Sequence, residues 1–151
     1  MEWPASCDMN LPESPHLVVD AMNVIGSRPT GWWRDRDGAV RNLLLRLTAF
    51  AAADRVAVTV AIDGRPLSDI AEGERQGIEV LYARRAGRNA ADDRIVEYIG
   101  AAADPTSLEV VTSDRDLAAR ARSLGAQVTG PQQLLDALDR WDASRKQPLD
   151  R

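Results

Sequence analysis

The stretch Leu17-Val18-Val19-Asp20-Ala21-Met22-Asn23-Val24-Ile25-Gly26 decides the fold. Three apolar residues run without a break into an aspartate. A strand with one wet face alternates apolar and polar residues, so an unbroken run marks a strand covered on both faces. The pattern recurs at residues 56–62, which end at Asp63-Gly64, at 78–83, and at 108–112, which run into Ser113-Asp114. A shorter piece, Ala126-Gln127-Val128, closes the series.

Helical patterns fill the intervals. Asp35 or Asp37 can cap a helix that places Ala39, Val40, Leu43, Leu44, Leu47 and Phe50 on one face. Residues 91–103 present Ile95, Val96 and Ile99 inward before Asp104-Pro105 breaks them, and Ser113-Asp114 opens a helix that stops at Gly125. Gly130-Pro131 turns into a last helix. Residues 26–36 read as a loop, 64–77 as a short helix or a mobile loop, and 84–89 as a basic loop. Strands alternating with helices predict an α/β domain with a mainly parallel central sheet and helices on both faces. The expected domain spans 16–140, with flexible tails at 1–15 and 141–151.

The 151 residues suit a single domain, and 44% apolar with 28% charged residues is a globular balance. No apolar run has membrane-spanning length and no signal-peptide pattern opens the chain, which predicts a cytoplasmic protein. Cys7 is the only cysteine and His16 the only histidine, so a metal here would be held by oxygen. Lys146 is the only lysine, which excludes mechanisms that need one in the folded body. A net charge of −4 argues against a nonspecific duplex binder without excluding a nuclease.

The acids recur at equivalent places: Asp20 and Asp63 end strands, Asp114 and Asp116 follow one, and Asp92 and Asp93 open a helix. In an open α/β sheet the ligand crevice lies outside the carboxyl ends of the strands, so these side chains converge. Clustered carboxylates repel unless a divalent cation neutralises them, and an all-oxygen set suits Mg²⁺ or Mn²⁺. Phosphodiester hydrolysis is the chemistry that such a set predicts best. Each acid also has a structural explanation: Asp20 an Asx-turn, Asp63-Gly64 a turn dipeptide, and Asp92, Asp93, Asp114 and Asp116 helix caps or dipole partners. The joint placement of Asp20, Asp92, Asp114 and Asp116 favours function.

The segment at 18–26 resembles the opening motif of NYN domains, a hydrophobic strand followed by Asp-Ala/Gly-x-Asn. Ala91-Asp92-Asp93-Arg94-Ile95 is similar to the Ala-Asp-x-x-Ile segment of the YacP-like NYN group. Val111-Thr112-Ser113-Asp114-Arg115-Asp116-Leu117 resembles the Thr/Ser-Ser-Asp-x-Asp motif shared by NYN and PIN domains, and Gly130-Pro131 with Leu134-Leu135 the closing helix. The resemblance covers about residues 16 to 140. It implies a three-layer, Rossmann-like PIN fold and a Mg²⁺- or Mn²⁺-dependent endoribonuclease. Asp20, Asp92, Asp114 and Asp116 would be metal ligands, with Asp93 and Asp63 as further candidates, and Asn23 would orient a ligand or the scissile phosphate. Relatives often carry an acid or threonine before the Ala-Asp pair, where this chain has Ala90.

The implied partner is single-stranded RNA, free or on the ribosome. Arg28, Arg34 and Arg36 follow the first motif and Arg84, Arg85 and Arg88 precede Asp92; arginine forks phosphate bidentately. Trp32-Trp33 can stack unpaired bases, or one of the pair can cover the end of the sheet. A receiver domain would need a late lysine and a haloacid-dehalogenase-type phosphatase a second aspartate where Met22 stands. The alternatives kept open are a non-catalytic RNA- or ribosome-binding module and a toxin-type PIN ribonuclease.

Overall fold

The computed structural model of the chain describes residues 15–84 and 90–146. Strand β1 (His16–Asp20) lies at the centre of a six-stranded sheet with β2 (Ala57–Ile62), β3 (Gly73–Arg75), β4 (Ile78–Tyr82), β5 (Leu108–Val111) and β6 (Gln127–Thr129). The order is β3-β4-β2-β1-β5-β6, and every neighbouring pair is parallel except β3 with β4. The expected α/β architecture is therefore the one observed.

The unbroken apolar runs have the predicted cause. Leu17 and Val19 face one core with Val58, Val60 and Ile62, roofed by α1 (Ala21–Gly26), α2 (Arg36–Asp54) and α5 (Pro131–Lys146) through Val24, Leu43, Leu47, Phe50, Leu134 and Leu138. Val18, Ala61 and Val110 face the other, roofed by Ile95 and Ile99 of α3 (Ala90–Ala101) and by Leu117 and Ala121 of α4 (Arg115–Ser123). Leu47 is fully buried. Cutting it to alanine would cost about 2–5 kcal/mol.

Asp35, rather than Asp37, caps α2, its Oδ1 accepting from the Gly38 amide at 3.0 Å. The loop expected at 26–36 carries a 3₁₀ turn, Trp32–Asp35, and α1 follows Asp20 directly, where the sequence pattern marks no element. Residues 64–77 are neither a helix nor a loose loop. Leu67 and Ile70 are buried, the Tyr82 hydroxyl donates to the Ile70 carbonyl at 2.6 Å, and β3 pairs antiparallel with β4. Gln76 (φ 50°) and Gly77 (φ 93°) join those strands in a two-residue turn of the primed kind, which needs positive φ at both positions. The closing helix runs through Lys146, so the tail expected from 141 begins inside it, with Trp141 packed on the core. Among the described residues no helix is long and apolar enough to cross a membrane.

The chain leaves β1 towards β2 and β4, then returns to the other side of β1 for β5 and β6. The order reverses between β1 and β5, and the crevice at such a switch opens beyond their carboxyl ends.

Candidate active site at the carboxyl ends of the central strands

Asp20 is the last residue of β1 and only 6% exposed. It precedes α1, yet its side chain caps nothing there. Its Oδ2 instead accepts from the Thr112 hydroxyl, just beyond β5, at 2.9 Å. Burial pushes its carboxyl from an ordinary 3.8 up to about 7, the Thr112 hydrogen bond pulls it down, and the charges of Asp92, Asp114 and Asp63 push it further up.

Asp92 enters from the first turn of α3 and is 7% exposed. Ala90 and Ala91 beside it are buried, small enough for the start of the helix to lie close to its neighbours. Burial, then the charges of Asp114, Asp63 and Asp93, raise its carboxyl to about 6, with Arg120 acting in the opposite direction. Among the described residues neither Asp20 nor Asp92 has an ion-pair partner. Uncompensated carboxylates at this depth are costly unless protonated or supplied with a cation.

Asp114 combines two roles. Its Oδ1 caps α4, accepting from the Leu117 amide at 3.0 Å, while its charge bears on both Asp20 and Asp92. Thr112 ties the halves together, since its Oγ1 donates to Asp20 and accepts from the Asp114 amide at 3.1 Å. Asp63 lies after β2, half-buried, with its carbonyl accepting from Arg36 Nη2 at 2.6 Å. It joins the cluster electrostatically, as the charges on Asp20 and Asp92 show. Asp116 is exposed in the first turn of α4, and Asp93 turns away to Arg120 at 3.1 Å. The Oδ1 of Asn23 accepts from the amide of Ser113 at 2.8 Å and from its hydroxyl at 3.0 Å, so this side chain braces the turn that carries Asp114.

Among the described residues no three acidic, histidine or cysteine side chains stand close enough together to hold a metal ion as they lie. The donor chemistry nevertheless fits a magnesium-like ion, which takes one or two carboxylates and fills its other positions with water and substrate oxygens. A closed cage of four aspartates is not the arrangement seen; Asp20, Asp92 and Asp114, with Asp63 near, are the acids the fold brings together.

The basic side chains expected at the rim divide. Arg28 pairs with Asp136 and Asp139, Arg36 clamps Asp37 and the Asp63 carbonyl, and Arg84 pairs with Glu97. Arg34 lies over the ring of Trp33, 5.9 Å from its centroid. Arg85 and Arg88 fall outside the described residues. Trp32 is half-buried and meets Trp33 edge-on, whereas Trp33 is 60% exposed. Thr112, Ser113 and Arg120 went unremarked as site residues in the sequence; only the pairing of β1 with β5 and of α3 with α4 brings them to the acids.

The sequence profile of the YacP-like NYN domain matches residues 17–151. Among solved structures the fold is similar to two crystal structures of Rae1 (YacP) from Bacillus subtilis. The W164L mutant aligns with a TM-score of 0.67 at 20% identity, over 86% of this chain and 78% of that one. The other aligns with a TM-score of 0.62 at 21% identity, over the same shares. No curated protein matches this chain by sequence. With the profile spanning the strand that ends in Asp20, the helix that starts beside Asp92 and the turn that holds Asp114, the chain belongs to the YacP-like NYN domains, a family of PIN-like nucleases.

Proposed function

We propose that the protein is a divalent-metal-dependent endoribonuclease that hydrolyses phosphodiester bonds of single-stranded RNA. The observation that carries this reading is the two buried carboxylates, Asp20 and Asp92, at the switch point of the sheet, neither with an ion-pair partner among the described residues. Such a pair is stable in its ionised form only when an external positive charge joins it.

Asp20 and Asp92 would hold Mg²⁺ or Mn²⁺, with Asp114 and Asp63 adding charge; Asp116, on the first turn of α4, is a further candidate ligand. Bound there, the ion supplies a water of lowered pKa and offsets charge on the scissile phosphate. Thr112 fixes the Asp20 carboxylate by its hydroxyl, and Asn23 holds the Ser113 turn so that Asp114 faces the crevice. Trp33, exposed and backed by Arg34, offers a face on which an unpaired base stacks without sequence preference. Stacking of this kind selects single strands, because bases in a duplex have their faces covered.

The test is cleavage of a long single-stranded RNA by purified protein with Mn²⁺, Mg²⁺ or EDTA, beside the Asp20→Asn, Asp114→Asn double variant. Metal-dependent cutting that disappears in the variant supports the reading. Folded protein that binds the RNA in every condition and cuts in none would move the assignment to an RNA-binding module.

A further inference from the structure

Many of the described arginines are already engaged: Arg28, Arg36, Arg41, Arg46, Arg65, Arg84, Arg94 and Arg120 each hold an acidic side chain. Arg115 and Arg122 are not among them, and unlike the other unengaged arginines they share a groove. Among the described residues neither side chain has a hydrogen-bond or ion-pair partner. Both line one open groove of about 450 Å³ whose other polar walls are Thr112, Ser113, Thr129 and Gly130. No acidic side chain lines it, in a chain whose net charge is −4.

The groove begins at the catalytic cluster. Thr112 is the residue whose hydroxyl holds Asp20, and Ser113 is the one braced by Asn23. A strand lying across the acids therefore has an acid-free, arginine-lined exit along α4. Arg115 and Arg122 are seven residues apart, two helical turns, or about 10.5 Å along the axis. That separation suits two different phosphates better than one.

Arg115 also occupies an awkward place. It is the first residue of α4, where a positive charge opposes the helix dipole. Arg122, in the last turn, has the favourable sign and a structural explanation available; Arg115 has none. We propose that Arg115 and Arg122 form a phosphate track that holds the backbone of single-stranded RNA on one side of the scissile bond, a binding subsite distinct from the acids and from the Trp33 platform. The track rests on the RNA-cleaving reading for its substrate, while its test does not depend on cleavage.

The test is binding of a labelled oligouridylate, followed by fluorescence anisotropy in EDTA between about 50 and 200 mM salt. The proteins are wild type, Arg115→Gln/Arg122→Gln, the corresponding double Lys variant, and Arg75→Gln/Arg140→Gln as a control on the far edge of the sheet and on α5. Two phosphate contacts to a single strand contribute about 1.4 to the slope of log affinity against log salt. The slope should fall by that amount in the groove Gln variant, stay near wild type in the Lys variant, and be unchanged in the control, with equal melting temperatures throughout. An unchanged slope and affinity in the groove Gln variant overturns the track, as does an equal loss in the control. Cutting in Mn²⁺ by wild type with an unchanged slope sinks the track and leaves the nuclease standing. The expected slope change without cutting keeps the track and sinks the nuclease, and neither binding nor cutting sinks both.

Discussion

The first strand carries a polar side chain at each end, half-buried at one and buried at the other, and the two ends are built differently. At the amino end His16 Nε2 lies 2.8 Å from Thr59 Oγ1, which donates to the Tyr98 hydroxyl at 3.1 Å; that hydroxyl donates to Glu79 at 3.3 Å. Four side chains from β1, β2, β4 and α3 satisfy one another. Burial lowers the pKa of His16 against the pull of Glu79 and raises that of Tyr98. At the carboxyl end Asp20 has one hydrogen bond from Thr112 and three carboxylates pushing against it. Both clusters are polar and sit on one sheet, but only the second leaves buried charge for something outside the chain to neutralise. A polar cluster that closes on itself specifies structure; one left open marks where a ligand belongs.

The largest effect that would sharpen this contrast is on cleavage. Asp20→Asn or Asp114→Asn should lower metal-dependent RNA cleavage by about a hundredfold or more, the scale of losing one charged group that acts on the transition state. Circular dichroism should be unchanged, since asparagine caps a helix as well as the aspartate at 114 does, and the Asp20 side chain caps none. Activity in either variant near wild type would break the assignment.

Next comes stability against pH. Asp20 and Asp92 titrate at about 7 and about 6 in the fold against 3.8 unfolded, so the folded form holds extra protons between those values. The metal-free protein should be most stable near or below pH 4 from this cause and lose stability as the pH rises through 7. Asp20→Asn should remove most of that slope and melt higher than wild type at pH 8, by at most about 4 kcal/mol. Mn²⁺ should raise the wild-type melting temperature more at pH 8 than at pH 5.

The closed cluster should respond in the opposite way. Thr59→Val strands its partners and should cost about 1–3 kcal/mol in urea unfolding while cleavage stays at the wild-type rate. A fall in kcat would show that the two ends are coupled. The smallest effect is expected from Arg120→Gln. The pair with Asp93 is exposed and adds less than about 1 kcal/mol. Without Arg120 the Asp92 carboxyl rises further, so the acid limb of the pH–rate profile should move to higher pH.

Much of the fold was legible because its signals are local. Unbroken apolar runs such as Leu17-Val18-Val19 announce a sheet covered on both faces, and Asp35 and Gly125 punctuate helices. The edge hairpin escaped because Gln76-Gly77 is a weak turn signal and Gly73-Glu74-Arg75 has no apolar period. The site was legible as far as element ends go: Asp20, Asp92 and Asp114 converge, while the hydrogen bonds from Ser113 to Asn23 needed the fold. Arg28, Arg36 and Arg84, read as basic rim, pair in the fold with acids: the distant Asp139, the neighbouring Asp37 and Glu97 on the next helix.

The order of hydrophobic runs, turns and terminal aspartates by itself determined that this chain folds as a parallel α/β sheet with acids at the carboxyl ends of its strands, because periodicity and capping act over a few residues. Which acids face each other, which arginines remain free, and which buried polar cluster is closed were decided only in three dimensions. Charge and hydrogen bonding act through space, and the partners that settle them, Thr112 for Asp20 and Asp139 for Arg28, lie about a hundred residues away along the chain.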